Sequence, residues 1–343
     1  MKALKYLLVF SIPLTVYISF TSTGWITFLP FLYVFGFVPL SDFLLKVNPY
    51  NFNKEQEEIE KNNKLYSLIL YAMLPIQVFF LAWFLIIISQ TPMFSFDFWG
   101  RVLGMGIMCG VIGINVGHEL GHRNNRIEQL LGELLLLTSL ETHFLPYHNG
   151  GHHLNVATPE DAATARKNEF IYVFWIRSQF MSYIKAWKLE NKRLSDINLN
   201  WFHYKNKMVI YTIFHFILLA CIYYFFNFYV LVSFLIAASI GISLLETVNY
   251  IEHYGLLRKK NKFGRYERVK HSHSWNSNHV IGKLVLFNLS RHSDHHYNGS
   301  KHYQVLKSLP DSPQMPTGYP GMMLLSLLPP LWFKIMNKKL QEI

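Results

Sequence analysis

Six long apolar runs constrain this chain more than any other feature. They cover roughly residues 4–20, 25–45, 65–89, 98–116, 208–229 and 230–248. A helix needs about 20 mostly apolar residues to cross the hydrocarbon core of a bilayer, and the runs are of that order. Composition agrees, because 51% hydrophobic and 16% aromatic residues with a mean hydropathy of +0.17 exceed what a soluble chain of 343 residues carries. The first run lies behind Met1 and Lys2 like a signal-peptide core. No small-residue cleavage site follows and a second apolar run begins at once, so a retained helix is expected. The expected fold is all-α, an integral-membrane bundle of six transmembrane helices in three hairpins.

The connections at residues 21–24, 90–97 and around Asn227 are short and carry no Lys or Arg. The opposite side carries Lys46, Lys54, Lys61, Lys64, Arg123, Arg126, Lys185, Lys188, Lys192, Arg193, Lys205 and Lys207, with Arg101 as the one exception. By the positive-inside rule, both termini and the long loops face the cytoplasm. The net charge of +11 therefore marks orientation and contact with anionic lipid rather than nucleic acid, and an acidic protein partner can use the same surface. The two cysteines, Cys109 and Cys221, lie inside apolar runs and leave no thiolate iron or zinc centre. An electron carrier with a four-cysteine iron site must then be a separate protein.

No internal repeat or flexible linker is visible, so residues 1–343 are expected to form one membrane domain with a cytoplasmic cap built from the long loops. Residues 51–65 are a polar connector. Residues 176–193 place Phe180, Tyr183, Ile184 and Trp187 on one helical face and Lys185, Lys188 and Lys192 on another, as a helix in the membrane interface would. The apolar segment GMMLLSLLPPLWFKIM is short and broken by Pro329 and Pro330, so it should cap the bilayer or dip into it rather than cross.

Of sixteen histidines, nine fall in tight clusters. HELGH contributes His118 and His122, and HNGGHH contributes His148, His152 and His153. NYIEHYG contributes His253, and RHSDHH contributes His292, His295 and His296. Helical positions i and i+4 share a face, so His118/His122, His148/His152 and His292/His296 can each grip one ion. A neighbouring residue points about 100° away, which sends His153 and His295 toward a second ion. All four motifs lie at the same expected membrane face. Imidazole suits zinc, copper, iron and nickel, and nine histidines exceed one tetrahedral zinc site, so a dinuclear redox centre fits the count.

Metal-bound imidazoles usually donate their second N–H to a carboxylate or carbonyl, and the candidates are Glu119, Glu141, Glu246, Asn249, Glu252 and Asp294. The remaining histidines, His143, His203, His215, His271, His273, His279 and His302, read as hydrogen-bonded structural residues, with His143 nearest to a cluster. Two other classes remain open at this point. HELGH also satisfies HExxH, which makes an intramembrane zinc protease with Glu119 as general base an alternative. It uses few of the clustered histidines. A non-catalytic metal-binding membrane protein uses them without oxygen chemistry.

The four motifs together resemble those of the bacterial alkane 1-monooxygenases, within the wider membrane family of fatty-acid desaturases and hydroxylases. HELGH, HNGGHH and RHSDHH match the three histidine boxes of the wider family, and NYIEHYGLLR resembles the extra box that separates alkane hydroxylases from desaturases. The resemblance extends to HLNVATPEDAATAR, SWNSN and the tail from HYQVL through LPDSPQMPTGYPGMMLLSLLPPLWF, with a looser match at PLSDFLLKVNP. It implies two non-haem irons bound by the nine histidines, and O2-dependent hydroxylation of a terminal methyl group to a primary alcohol. It also implies electrons from a rubredoxin and its reductase, a linear alkane substrate, and residence in the bacterial inner membrane. No fused rubredoxin domain is expected. Sibling chemistry on a fatty acyl chain or an alkyl-aromatic methyl group is the runner-up. An apolar channel is implied too, for which Trp25, Phe28, Phe31, Tyr33, Phe35 and Met105 are candidates.

Overall fold

The computed structural model describes residues 2–343 and is helical throughout, with no strand among them, only two isolated bridges. In chain order the main helices are α1 (Lys2–Thr21), α2 (Gly24–Leu44), α3 (Lys54–Asn62), α4 (Leu65–Ser89), α5 (Phe96–Gly121), α6 (Arg126–Leu137), α7 (Ile171–Ser195), α8 (Lys207–Phe225), α9 (Phe228–His253), α10 (His292–Tyr297), α11 (Tyr319–Ser326) and α12 (Pro329–Gln341). All six expected runs are helical, and six helical stretches among the described residues are long and apolar enough to span a membrane. The polar connector holds a helix of its own, α3, whose N-terminus is capped by the Asn53 side chain accepting from the Gln56 N–H. The Pro pair stops α11 and starts α12, where a proline at the first turn sacrifices no hydrogen bond.

The chain divides into two compact units, one of Met1–Phe37, Lys64–His143 and Glu190–Leu245, the other of Val38–Asn63, Phe144–Leu189 and Glu246–Ile343. In the first, α5 is the inner helix: 83% of its apolar window is buried against 17% for α8, whose large side chains face outward. Glycine explains the difference. A Cβ on Gly241 of α9 would sit 2.6 Å from the Cβ of Cys109 on α5, and one on Gly132 of α6 would sit 2.8 Å from the Gly117 carbonyl oxygen. Close backbone approach is how helices associate in lipid, where apolar burial alone gives no preference for protein over solvent.

The exceptional cation, Arg101, is accounted for in this unit. Its guanidinium donates to Thr91 Oγ1 at 2.5 Å and to the Ser22 carbonyl at 3.1 Å, while Asp97 accepts from the Gly24 N–H at 2.7 Å. These bonds staple the two short turns that carry no other basic residue, so Arg101 marks structure rather than orientation.

The second unit is rich in loops, and its backbone needs partners that secondary structure does not provide. Charged side chains supply them. Asp42 accepts from the N–H groups of Ile281 (2.7 Å) and Gly282 (3.1 Å), and Arg291 donates to the Tyr50 carbonyl at 2.8 Å. Arg177 grips Glu169 through two bonds of 2.6 and 2.8 Å and also donates to the carbonyls of Ala162 and Thr164. Within α7, Phe174, Ser178, Ser182 and Ala186 are buried while Tyr172, Val173, Ile176, Phe180 and Tyr183 are exposed. That split is the one an interface helix makes, with small and polar groups against the protein and aromatic groups outward.

Candidate metal centre

The last turn of α9 ends on His253, and the short helix α10 opens on His292. On α10 the i,i+4 spacing brings His292 Nε2 within 2.8 Å of His296 Nε2, and His292 Nε2 is also 3.1 Å from His253 Nε2. The His152 ring lies 4.9 Å from that of His253 and 4.8 Å from that of His296. The four side chains are buried and offer nitrogens that all lie within 4.8 Å of one another. One N–H cannot satisfy several facing acceptors, so this convergence leaves lone pairs aimed at a common point. Metal–nitrogen bonds of about 2.1 Å at right angles separate neighbouring nitrogens by about 3.0 Å, close to the spacings seen.

Asp161 sets the tautomer of His152. His152 Nδ1 donates to Asp161 Oδ2 at 2.8 Å, and the same carboxylate accepts from the Tyr147 hydroxyl (2.6 Å) and the Thr164 hydroxyl (2.7 Å). Burial alone would raise the Asp161 carboxyl, but attraction to His152 and these three hydrogen bonds outweigh it and hold the group well below the usual carboxylate range. An ionised carboxylate only accepts, so the His152 proton is on Nδ1. Its Nε2, buried and without a hydrogen-bond partner, is left bare. Burial, with the neighbouring His292, His153, His152 and His253, likewise pushes His296 well below its ordinary value. Imidazoles with converging nitrogens are the donor set of a transition-metal ion, and the residues fit one.

His148 does not pair with His152 as i,i+4 spacing predicts. The second box folds as a π-helical turn over His148–His152, and its wider turn turns His153 toward His148, with Nε2 atoms 3.0 Å apart. His152 is released to the set described above. His295 follows the expectation for a neighbour of His296, its ring 4.9 Å from that of His153 and 6.0 Å from that of His148. The second unit thus holds two groups, His152/His253/His292/His296 and His148/His153/His295. In the first unit His118 and His122 close to 3.1 Å between Nε2 atoms, one turn after another π-helical segment, Met108–Ile114.

Asp161 is the outer carboxylate that the sequence reading missed. It lies in the ATPEDAATAR stretch nine residues beyond His152, outside every histidine box. Of the expected partners, Glu252 lies nearest a clustered histidine, but its Oε2 is 3.2 Å from His292 Nε2, the nitrogen that faces His253 and His296 and not the outer Nδ1, and the Tyr319 hydroxyl faces the carboxylate. Glu246 accepts from Asn249 Nδ2 at 3.3 Å and Glu141 lies 3.4 Å from His143 Nε2. Asp294 is turned to Lys301 (2.6 Å) and the Lys307 N–H (2.7 Å). Glu119 is buried in an ion pair with Arg123 at 2.8 Å, which occupies the carboxylate a protease would need free. His203 accepts from the Lys205 N–H, His273 from the Lys270 N–H, and His279 pairs with the Ser277 hydroxyl.

Of the channel candidates, Trp25 is 77% exposed and Phe31 is exposed too. Met105 alone is fully buried, while Phe28, Tyr33 and Phe35 are half-buried, and the Tyr33 hydroxyl is spent on Ser11 Oγ at 2.8 Å.

The fatty acid desaturase family model matches residues 98–325. Alkane 1-monooxygenase 1 of Pseudomonas aeruginosa is 39% identical over 315 residues, covering 90% of this chain and 81% of that protein. Alkane 1-monooxygenase of Ectopseudomonas oleovorans is 38% identical over 328 residues, 93% of this chain and 80% of that one. Alkane 1-monooxygenase 1 of Alcanivorax borkumensis is 37% identical over 327 residues, 94% and 80% respectively.

Proposed function

Because the chain belongs to the fatty acid desaturase family and, within it, to the alkane 1-monooxygenases, we propose that it hydroxylates linear alkanes at a terminal carbon. The reaction is RH + O2 + 2e⁻ + 2H⁺ → ROH + H2O. The observation that carries this reading is the set of four buried imidazoles with the bare His152 Nε2 among them. His152, His253, His292 and His296 would hold one iron, and His118, His122, His148, His153 and His295 complete the nine donors for two. The irons, when bound, supply O2 activation. The chain's own part is to orient the donors, through Asp161 at His152, and to keep water away from them by burial. The intramembrane zinc protease is set aside, since family membership opposes it and Glu119 is engaged by Arg123.

In this reading electrons come from a rubredoxin and its reductase, the protein resides in the bacterial inner membrane, and the histidine boxes face the cytoplasm. Six apolar helices and the basic loops support that placement. The test is expression of the wild type and His292→Ala with a rubredoxin and reductase, fed linear alkanes of mixed length. Primary alcohols from the wild type alone, with about two irons per chain, are expected. Iron-loaded, reduced protein that makes no 1-alkanol would overturn the alkane reading and turn attention to fatty acyl or alkyl-aromatic substrates.

A further inference from the structure

Between His253 and Trp275 the chain makes a basic excursion that the metal centre does not use. The Trp275 N–H closes its base on the Glu252 carbonyl at 2.8 Å, and the Gly255 N–H donates to the Ala165 carbonyl at 2.9 Å. Farther out, Lys260 and Tyr266 face one another in an isolated antiparallel bridge, and the tip turns at Gly264, whose φ of +74° suits glycine. Arg258 straps this hairpin to the second box: its N–H donates to the Ala157 carbonyl at 2.7 Å and its Nη2 to the Leu154 carbonyl at 2.8 Å. Leu154 follows His153 and the hairpin itself follows His253. Both ends of its base are therefore bonded within one residue of a histidine of the centre.

Its outer face is cationic. Lys259, Lys260, Lys262, Arg265 and Arg268 are exposed. Against these five stand Glu267, already engaged by Lys270 and by the Lys259 N–H, and Glu160, which accepts from Tyr266. Among the cations project Phe263, 76% exposed, and Leu257, with exposed Leu154 on the adjoining segment. An exposed aromatic ringed by charge is the anatomy of a protein docking patch, where an apolar centre anchors and a polar rim steers.

We infer that this hairpin, residues 257–270, is where the electron donor docks, and that the donor is a small acidic one-electron carrier protein. The inference rests on the monooxygenase reading above. Each docking oxidises one carrier by one electron and passes that electron to the centre, so two dockings supply the two electrons that, with two protons, reduce the second atom of O2 to water. An anionic lipid surface would also draw the lysines, but it gives no reason for the strap that ties Arg258 to Leu154, beside His153, at the base of a hairpin that leaves His253.

The test compares the full-length wild type with Lys259→Glu/Lys262→Glu/Arg265→Glu in detergent, titrating purified rubredoxin and measuring alkanol formation. In parallel, single-turnover hydroxylation is driven by dithionite, which needs no docking. The expected result is a KM for rubredoxin raised about tenfold or more and a weakened salt dependence, with kcat at saturating carrier and dithionite-driven turnover unchanged. Should the triple variant fail with dithionite, Lys262→Glu alone at the hairpin tip makes the same comparison. An unchanged KM and salt dependence overturns the inference. So does a variant that loses only its binding to phosphatidylglycerol vesicles, which would assign the hairpin to lipid. A wild type that makes no alcohol with either reductant refutes the monooxygenase reading instead, and the two failures are distinct.

Discussion

At the scale of single residues, Asp161 decides which nitrogen of His152 is bare. Asp161→Asn keeps the shape but offers an amide that can present either oxygen or NH2, so the tautomer is no longer fixed. Loss of such an outer partner costs roughly 10- to 100-fold in metal affinity, and iron retained after dialysis against a graded chelator should fall by that factor; unchanged retention would show that the carboxylate serves only the loop. His143 provides a second case. Burial, followed by repulsion from His215, lowers it to about 3 from an ordinary 6.5. Unfolded chain therefore takes up a proton near pH 6.5 that folded chain refuses, and stability falls as pH drops from about 6.5 toward 3, by at most about 1.4 kcal/mol per pH unit. His143→Gln should flatten the decline of unfolding temperature between about pH 6.5 and 5, and parallel declines would mean that His143 titrates alike in both states. These environments were not legible in the sequence. Asp161 and Tyr147 stand in motifs with no metal-ligand spacing, and only the fold back of residues 147–164 brings them onto His152.

At the scale of elements, α5 and α9 pack closely at a glycine. Gly241 has no room for a side chain beside Cys109. Gly241→Leu should force the two helices apart at a cost of at least about 1–3 kcal/mol, as overpacking does, seen as a lowered unfolding temperature in detergent; a wild-type value would show that the helices separate without strain. The same helices end in HELGH and in His253, so iron content should fall with stability. Elements also show where periodicity misled. The i,i+4 rule holds on α10, an ordinary α-helix, and His292 meets His296. It fails at HNGGHH, where two glycines lower the preference for α-helix and the turn widens to π, so that His148 meets His153 instead. A Cβ on Gly151 would lie 2.6 Å from the Tyr147 ring, which links that turn to the hydroxyl holding Asp161. The clustering of the histidines was readable from the boxes, but pairing depends on a local winding that box spacing does not encode.

At the scale of the whole molecule, the six spans were legible because lipid allows so little else: runs of this length and apolarity have one economical backbone solution. The loops were not, since their course is set by buried charges such as Asp42 and Arg291 whose partners lie far away in sequence. Charge bias across the membrane turns the span count into a directional prediction. With Arg101 bonded to Ser22 and Thr91, the short turns have no cation that would hold them in the cytoplasm, whereas the loop after His253 carries many. Single cysteines placed at Met93 and Asn227 in a Cys221→Ser background should therefore react with a membrane-impermeant maleimide in intact cells that admit it to the periplasm. Cysteines at Lys54, Lys262 and Lys338 should react only after the inner membrane is opened. Labelling of Lys262→Cys in intact cells would place the basic hairpin outside, away from any cytoplasmic electron donor, and would remove the topology on which rubredoxin delivery depends while leaving the imidazole set itself untouched.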